Sequence, residues 1–199
     1  MKNYLQYCSK DKLDLLSKTY HYLLPYFIHH IDHLRWTIIH TDISNTNVIV
    51  HLNQQTNSYN ICGIIDFGVI DYGATIFELA IMMAYLLLSI DRDHFRALGH
   101  LILGYHSVYP ITKEEYKGLY TLLVARLIQT LILCQFVSTI DPDNPFVMHG
   151  YDKKWDRLNL MLSLSESDVY AIWDPIVGLS TDNDFYNLLP APIRKGFNS

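Results

Sequence analysis

Apolar residues near the start of the chain recur every three or four positions, which is the spacing of one face of an α-helix. This periodicity predicts one amphipathic helix over residues 10–34. Pro25 lies inside it and predicts a kink or a break, because proline removes a backbone hydrogen-bond donor. The apolar positions of the predicted face are Leu13, Leu15, Leu16, Tyr20, Leu23, Leu24, Phe27, Ile28 and Ile31.

The next segment changes to short runs of apolar and β-branched residues. Three strands are predicted, at residues 36–39, 48–52 and 61–65. The polar stretch at residues 53–60 predicts a turn that joins the last two strands. Three short strands are thus packed into about thirty residues.

From Thr75 onward the pattern is helical. Thr75 and Glu78 have the spacing of a capping box, and Thr112 and Glu115 repeat that spacing before the next long helix. A further helix is predicted at residues 93–109, ending before Pro110, and a loop follows at 141–145. Two shorter helices are predicted at 155–164 and 168–173. The tail from residue 174 is predicted to be a loop, because it contains prolines at 175, 190 and 192. Together these elements predict a mainly helical α+β fold.

Two apolar stretches raise the question of membrane insertion. Residues 79–90 are too short to cross a bilayer, and residues 119–140 carry Arg126, Gln129 and Gln135 near their middle. Core helices explain both stretches, so no membrane partner is expected. Arg126 and Gln129 would then pair within the core or reach a substrate pocket, and core pairing is the preferred interpretation.

Composition narrows the possible partners. The chain has 199 residues, half of them hydrophobic, with 15 Lys and Arg against 20 Asp and Glu and a net charge of −5. Without a basic cluster, nucleic acid is not expected as a partner. Cys8, Cys62 and Cys134 have no CxxC spacing and predict free thiols in a reducing compartment. The polar opening does not resemble a signal peptide, so a cytoplasmic location is expected.

The segment from His40 to Gly68 carries the candidate chemistry. Asp42 is followed five positions later by Asn47, and Asp66 begins an Asp-Phe-Gly sequence after the predicted hairpin. Each part alone is common in turns, but the order and context are those of the catalytic and metal-binding loops of kinases. The pattern predicts that Asp42 orients a substrate hydroxyl and accepts its proton. Asn47 and Asp66 would bind Mg²⁺, which prefers oxygen ligands, beside the nucleotide phosphates.

These loops resemble the aminoglycoside phosphotransferase and choline kinase superfamily, whose catalytic motif is His-Gly-Asp, and within it the hydroxylysine kinase family. The similarity covers roughly residues 35–173. Outside the two loops it is carried by Ile64, Ile65, Tyr72, Gly73, Phe77, Glu78, Leu79, Ala80, Ile81, Gly99, His100, Gly104, Pro110, Ile111, Thr112, Arg126, Gln129, Trp155, Ile172 and Trp173.

The resemblance implies transfer of the γ-phosphate of GTP or ATP, with Mg²⁺, to the hydroxyl of a small amine or amino acid. GTP and 5-hydroxy-L-lysine are the pair implied by the hydroxylysine kinases, and choline, homoserine and aminoglycosides are alternative acceptors. It also implies that His40 and Glu78 support the catalytic loop; a role for Glu78 in helix capping is the alternative. Thr41 replaces the usual glycine, and Val69 replaces a frequent acidic residue, with Asp71 two positions later.

The resemblance further implies one kinase-like carboxy-terminal lobe. Its expected parts are a leading helix (1–34), the catalytic and metal-binding loops (35–74), a helical subdomain (75–173) and a tail (174–199). Only 39 residues precede His40, and their lysines are not on a predicted strand. An amino-terminal nucleotide lobe of roughly a hundred residues is therefore expected to be absent, with weak nucleotide binding as the result. The competing hypothesis is an inactive kinase-like module that binds a protein partner, whose identity the sequence leaves unknown.

A zinc site is a further hypothesis. His29 and His33 lie four positions apart on the predicted helix and would share one face. No glutamate lies between them as in a metalloprotease, and no third ligand is evident. A surface cluster of histidines is the preferred interpretation.

Overall fold

A computed structural model of the chain describes residues 2–8, 10–144 and 147–179. Within these ranges the helices and strands are, in chain order, α1 (Lys10–His30), β1 (Trp36–Ile39), β2 (Val48–Asn53), β3 (Ser58–Ile64), β4 (Asp71–Ala74), α2 (Thr75–Ser89), α3 (His94–Val108), α4 (Lys113–Lys117), α5 (Leu119–Ile140), α6 (Tyr151–Leu162) and α7 (Glu166–Val177). Short 3₁₀-helices are formed by Lys2–Tyr7, Ile31–His33 and Phe67–Val69. The fold is the predicted mainly helical α+β type.

The first helix differs from its prediction at Pro25 and at its end. α1 continues through Pro25, so the predicted break is wrong, and the alternative of a kink stays a prediction. The α-helix ends at His30, four residues before the predicted end, because residues 31–33 tighten into a 3₁₀ turn. Leu34 then takes up an extended conformation that leads into β1.

Four strands form two separate antiparallel pairs. β2 and β3 make the predicted hairpin, in which β3 begins at Ser58, three residues earlier than expected. β1 pairs with β4, from Trp36 opposite Ala74 to Ile39 opposite Asp71. β4 was not predicted, since it has four residues, begins with aspartate and contains a glycine. The β2–β3 hairpin and the two loops that flank it therefore lie, in sequence, between the paired strands β1 and β4.

The start of α2, the start of α6, which is Tyr151 rather than residue 155, and the end of α7 also differ from their predictions. Thr75 is the first residue of α2 rather than its cap, and its hydroxyl donates to the Arg35 carbonyl at 3.1 Å. α7 continues through Pro175 to Val177, so the tail does not begin at residue 174. The rest of the predicted tail, from residue 180, lies outside the described residues.

The capping box at Thr112 is confirmed. The Thr112 hydroxyl accepts from the Glu115 amide at 3.2 Å, and the Glu115 carboxylate accepts from the Thr112 amide at 2.8 Å. The helix that it opens, α4, is only five residues long. The long helix α5 begins after Gly118.

The hydrophobic core is built around α5. Buried residues of α5 lie between Leu119 and Ile132 and pack against α2, α6 and α1. α3 and α7 pack against each other beside them. Among the described residues, Leu119–Ile140 is the one helix that is long and apolar enough to cross a membrane, and here its first half forms the centre of the core.

Many apolar side chains of the strands and the adjoining loop are exposed, in contrast to the helices. Ile38, Tyr59 and Ile61 are each about 70% exposed. The described residues do not cover this surface, which we call the apolar strand surface. Its exposed members are Trp36, Ile38, Ile49, Val50, Leu52, Tyr59, Ile61, Ile64, Ile65, Phe67, Val69, Ile70 and Tyr72.

Arg35 anchors the start of β1 to the helical part. Its guanidinium donates to both oxygens of the Glu115 carboxylate, at 2.9 and 2.6 Å, and to the Pro110 carbonyl at 2.6 Å. The Glu115 side chain is almost fully buried. Because a buried carboxylate is costly without a cation, this pair fixes β1 relative to α4.

We expect Arg35→Met to lower the free energy of unfolding by roughly 2–3 kcal/mol, less than for a fully buried pair because Arg35 is partly exposed. Urea denaturation measures this loss. Lys18→Met is the matched control, since Lys18 pairs with Asp14 in an exposed ion pair and its loss should cost less than about 0.5 kcal/mol. Equal effects of the two substitutions would contradict an anchoring role for Arg35.

Candidate active site

The loop between β1 and β2 carries His40, Thr41, Asp42 and Asn47. Two backbone hydrogen bonds fold it tightly: the Ser44 amide donates to the Asp42 carbonyl at 2.9 Å, and the Asn47 amide donates to the Ser44 carbonyl at 3.1 Å. β1 fixes the first residue of this loop and β2 begins directly after Asn47. The loop is therefore held at both ends by strands.

His40 is buried and connects the two candidate loops. Its Nε2 lies 3.0 Å from the Ile65 carbonyl, and its Nδ1 accepts from the Asp42 amide at 3.3 Å. Both contacts are satisfied by a neutral ring with its proton on Nε2. The ring also lies 4.8 Å from the Phe67 ring, centroid to centroid. His40 thus makes structural contacts with both loops through both ring nitrogens.

Glu78, in the first turn of α2, lies beneath the catalytic loop. Its Oε2 accepts from the backbone amides of His40 and Thr41, the latter at 3.3 Å. The predicted capping role of Glu78 is wrong, because α2 has no side-chain cap. Its Oε1 is buried and has no hydrogen-bond partner among the described residues. One carboxylate oxygen therefore holds two successive peptide groups of the loop.

Thr41 occupies the position of the glycine in the His-Gly-Asp motif. Its backbone is left-handed, with φ at +66°, a conformation that glycine adopts freely and that is strained for a β-branched residue. The Thr41 hydroxyl donates to the Val69 carbonyl at 2.6 Å, which offsets part of this cost. The substitution therefore keeps the left-handed conformation that a glycine would adopt, and adds a link to the Asp-Phe-Gly loop.

The structure brings Asp42 and Asn47 into direct contact. The Asn47 amide nitrogen donates to the Asp42 carboxylate at 3.0 Å and to the Asp42 carbonyl at 2.9 Å. This leaves the Asn47 amide oxygen, the atom that a hard cation would bind, without a donor from the described residues. Asp42 is partly buried, whereas Asn47 is only 8% exposed.

Asp66 comes close to Asn47 through the backbone. The Ile65 amide donates to the Asn47 carbonyl at 3.0 Å, directly beyond the pairing of Val48 with Ile64. Asp66 itself is exposed and left-handed, with φ at +66°. A side chain at Gly68 would bring its Cβ to 3.4 Å from the Asp66 carboxylate, so glycine leaves room there. The hairpin thus places both predicted metal ligands at its open end.

Tyr85 is a contact of Asp42 that the sequence did not indicate. Its hydroxyl donates to Asp42 Oδ1, so both oxygens of the Asp42 carboxylate have a donor. Burial, and next the hydrogen bond to Asp42, raise the pKa of Tyr85 above its usual value, so the hydroxyl stays protonated at neutral pH. Tyr85 lies seven residues after Glu78, which places both on one face of α2. That spacing is the signal that could have identified it.

A cavity of about 420 Å³ adjoins the catalytic loop at Thr41. Asp71 and Tyr72 line it from β4, and Arg126 and Gln129 line it from α5. Phe77, Ile81, Arg126 and Gln129 also line a smaller apolar pocket of about 180 Å³, so the two spaces adjoin.

Other metal sites find no support in the described part of the chain. No group of three or more His, Cys, Asp or Glu side chains lies close enough there to hold an ion. His29 and His33 are both exposed. An ion at the candidate site would depend on the Asn47 amide oxygen together with Asp66.

Comparison with known proteins places these loops in a family. Residues 8–115 match the phosphotransferase enzyme family (APH). The hydroxylysine kinase of Mus musculus is 28% identical over 147 residues, which cover 72% of this chain and 39% of that relative. The hydroxylysine kinase of Xenopus laevis is 28% identical over 165 residues, covering 80% of this chain and 43% of the relative. The hydroxylysine kinase of Danio rerio is 29% identical over 140 residues, which cover 70% of this chain and 39% of that relative.

The chain spans about two fifths of the length of the curated relatives it matches. No solved structure matches it. The family match covers more than half of the chain and contains both candidate loops together with Glu78 and Tyr85. The resemblance inferred from the loops is thus confirmed, and the chain belongs to the phosphotransferase enzyme family.

Proposed function

We propose that this chain carries the catalytic and metal-binding loops of a small-molecule kinase. The reaction is transfer of the γ-phosphate of a nucleoside triphosphate to the hydroxyl of a small amine or amino acid, with 5-hydroxy-L-lysine as the first candidate. The observation that carries this proposal is the direct contact of Asp42 with Asn47 beside the Asp66 loop. The similarity to hydroxylysine kinases supports the choice of acceptor.

In this mechanism Asp42 orients the acceptor hydroxyl and accepts its proton. The hydroxyl oxygen forms a bond to the γ-phosphorus while the bond from that phosphorus to the bridging oxygen breaks. Tyr85 and Asn47 each occupy one lone pair of the Asp42 carboxylate, and each oxygen keeps another for the substrate. Both contacts fix the carboxylate in one orientation, which favours in-line attack.

Mg²⁺ fits the donor set of the site. The Asn47 amide oxygen and the Asp66 carboxylate are the groups that would hold it, since both are oxygen ligands and Asp66 forms no ion pair with the residues that the structure describes. When bound, the ion would neutralise negative charge on the phosphates. GTP is the proposed donor by resemblance, with ATP as the alternative.

Turnover by this chain alone is proposed to be slow. In this superfamily a separate amino-terminal lobe covers the phosphates and supplies a lysine. In the described residues, the strands that adjoin the catalytic loop instead expose the apolar strand surface. Nucleotide bound to the described residues alone would therefore lack these contacts.

A second candidate function is an inactive, protein-binding module. The apolar strand surface favours it, because large exposed apolar patches often mark interaction sites. The contact of Asp42 with Asn47, and the hold of Glu78 on the catalytic loop, favour catalysis instead. Mg²⁺-dependent binding of nucleotide separates the two candidates.

Asp42→Asn is expected to lower phosphoryl transfer at least about 100-fold, because it removes the proton acceptor while keeping the shape of the side chain. Transfer of labelled γ-phosphate to 5-hydroxy-L-lysine is sensitive enough for a slow enzyme. Asp152→Asn, an exposed aspartate on α6, is the matched control and should leave transfer unchanged. Equal transfer by Asp42→Asn and the unmutated chain would refute the role of Asp42, and rapid turnover by the unmutated chain would refute slow transfer.

Asp66→Asn is expected to weaken nucleotide binding about tenfold or more in the presence of Mg²⁺ and to change it little without Mg²⁺, since a metal ligand loses its charge. Calorimetric titration of GTP and ATP at several Mg²⁺ concentrations measures this difference. If Mg²⁺ strengthens binding equally in both proteins, Asp66 is not a metal ligand. Absence of any nucleotide binding by the unmutated chain would favour the protein-binding module.

Tyr85→Phe is expected to lower kcat roughly tenfold with little change in the KM for nucleotide, because it removes one of the donors that orient the Asp42 carboxylate. Steady-state kinetics resolve kcat from KM. Tyr22→Phe, an exposed tyrosine of α1, keeps the Asp42 contacts and serves as the control for loss of a hydroxyl. A roughly tenfold rise in the KM for nucleotide, with kcat unchanged, would contradict a positioning role.

A further inference from the structure

The cavity beside the catalytic loop contains two opposite charges. Arg126 contributes a cation from α5, and Asp71 contributes a carboxylate from β4. Apolar and aromatic side chains line the space around them, among them Trp36, Tyr72 and Phe77. Small-molecule sites combine such an apolar lining with a few placed polar groups.

Arg126 has no carboxylate partner among the described residues. It is partly buried in an apolar helix, and its guanidinium bonds to neutral oxygens only: Gln129 at 2.9 Å and the Tyr85 hydroxyl at 3.5 Å. The two other partly buried arginines in the described part of the chain, Arg35 and Arg157, both pair with a carboxylate. A partly buried cation is costly unless it is paired, so Arg126 lacks the anion that its position calls for. The predicted pairing within the core therefore does not include an ion pair.

The geometry around Arg126 suits a carboxylate ligand. A guanidinium presents two parallel donors that match a carboxylate, and Arg126 lines both the cavity and the adjoining pocket. Gln129 uses its oxygen to accept from Arg126, which leaves its amide nitrogen able to donate to the same ligand.

Asp71 suits an ammonium group. Its Oδ1 accepts from the Tyr72 amide at 2.8 Å, and its other oxygen has no donor among the described residues. The Trp36 and Tyr72 rings, 5.8 Å apart between centroids, line the same cavity. Aromatic faces add to the attraction of a carboxylate for a cation.

Tyr85 connects this cavity to the proposed catalytic residue. Its hydroxyl contacts both the Asp42 carboxylate and the Arg126 guanidinium. Thr41, adjacent to Asp42, lines the cavity directly. A ligand anchored at Arg126 is therefore one side chain away from Asp42.

We propose that this cavity is the acceptor site and that it selects a zwitterionic amino acid, whose carboxylate binds Arg126 and Gln129 and whose ammonium group binds Asp71. The proposal rests on the proposed function and specifies its substrate class. It predicts discrimination against amino alcohols without a carboxylate, because these would leave Arg126 without an anion on binding.

The test is a binding cycle without nucleotide, in which the unmutated chain and Arg126→Met are each titrated by calorimetry with 5-hydroxylysine and with its carboxamide. We expect Arg126→Met to weaken 5-hydroxylysine binding roughly 10- to 100-fold, since a charge-assisted pair is lost. The carboxamide should bind the unmutated chain equally weakly, and Arg126→Met should not weaken it further. This non-additivity identifies the carboxylate as the partner of Arg126.

Arg96→Met is the matched control, because Arg96 is exposed on α3 and away from the cavity. It should bind 5-hydroxylysine as the unmutated chain does. Thermal unfolding of each variant establishes that it is folded. Asp71→Asn is expected to weaken 5-hydroxylysine binding about tenfold, and to weaken the carboxamide by the same factor, because the carboxamide keeps its ammonium groups.

Three results would overturn the acceptor site: equal binding of 5-hydroxylysine by Arg126→Met and the unmutated chain, equal binding of acid and carboxamide, or no binding of either. If the unmutated chain and Arg126→Met both transfer phosphate to choline equally well, the kinase proposal stands and the amino-acid site is refuted. If binding depends on Arg126 but neither nucleotide binding nor transfer is found, the amino-acid site stands and the kinase proposal falls.

Discussion

The candidate chemistry depends on one helix, α2, which holds the catalytic loop at two points. Glu78 accepts from the loop backbone at His40 and Thr41, and Tyr85 donates to the Asp42 carboxylate. The two side chains lie seven residues apart on one face, about 10 Å along the helix axis. α2 is in turn fixed by packing against α5, α3 and α6 in the hydrophobic core. The position of Asp42 is therefore set by the core.

The sequence predicted the elements whose pattern is local. The helical period located α1, α3 and α5, and the paired spacing of Thr112 and Glu115 identified a real capping box. The same spacing failed at Thr75 and Glu78, because tertiary partners compete for both side chains: the Arg35 carbonyl for one and the catalytic loop for the other. β4 was missed because its stability comes from β1, about 35 residues away, rather than from its own composition. The cytoplasmic location and the four-part organisation of the chain stay predictions.

At the candidate site, the sequence predicted functional residues best where one short motif carries several of them. The loop from His40 to Asn47 predicted two candidate site residues, Asp42 and Asn47, which the structure brings into contact. Tyr85 could not be found in this way, and the sequence left Arg126 between core pairing and a substrate pocket, since these residues lie 43 and 84 positions after Asp42 on two different helices. Only the packing of α2 against α5 brings them together. Core pairing is the preferred interpretation of Arg126 from the sequence, with a substrate pocket as the alternative, because the apolar pattern of its helix does not show which side chains line a cavity.

The link between Thr41 and Val69 changes which positions are free to vary. Its donor is a side-chain hydroxyl, but its acceptor is a backbone carbonyl, which every amino acid supplies. A hydroxyl side chain, threonine or serine, is thus needed at position 41 to form the hydrogen bond between the two loops. Any amino acid at position 69 can accept it. The hydrogen bond is therefore compatible with valine at position 69, where the resemblance implies a frequent acidic residue, because it does not involve the side chain of residue 69.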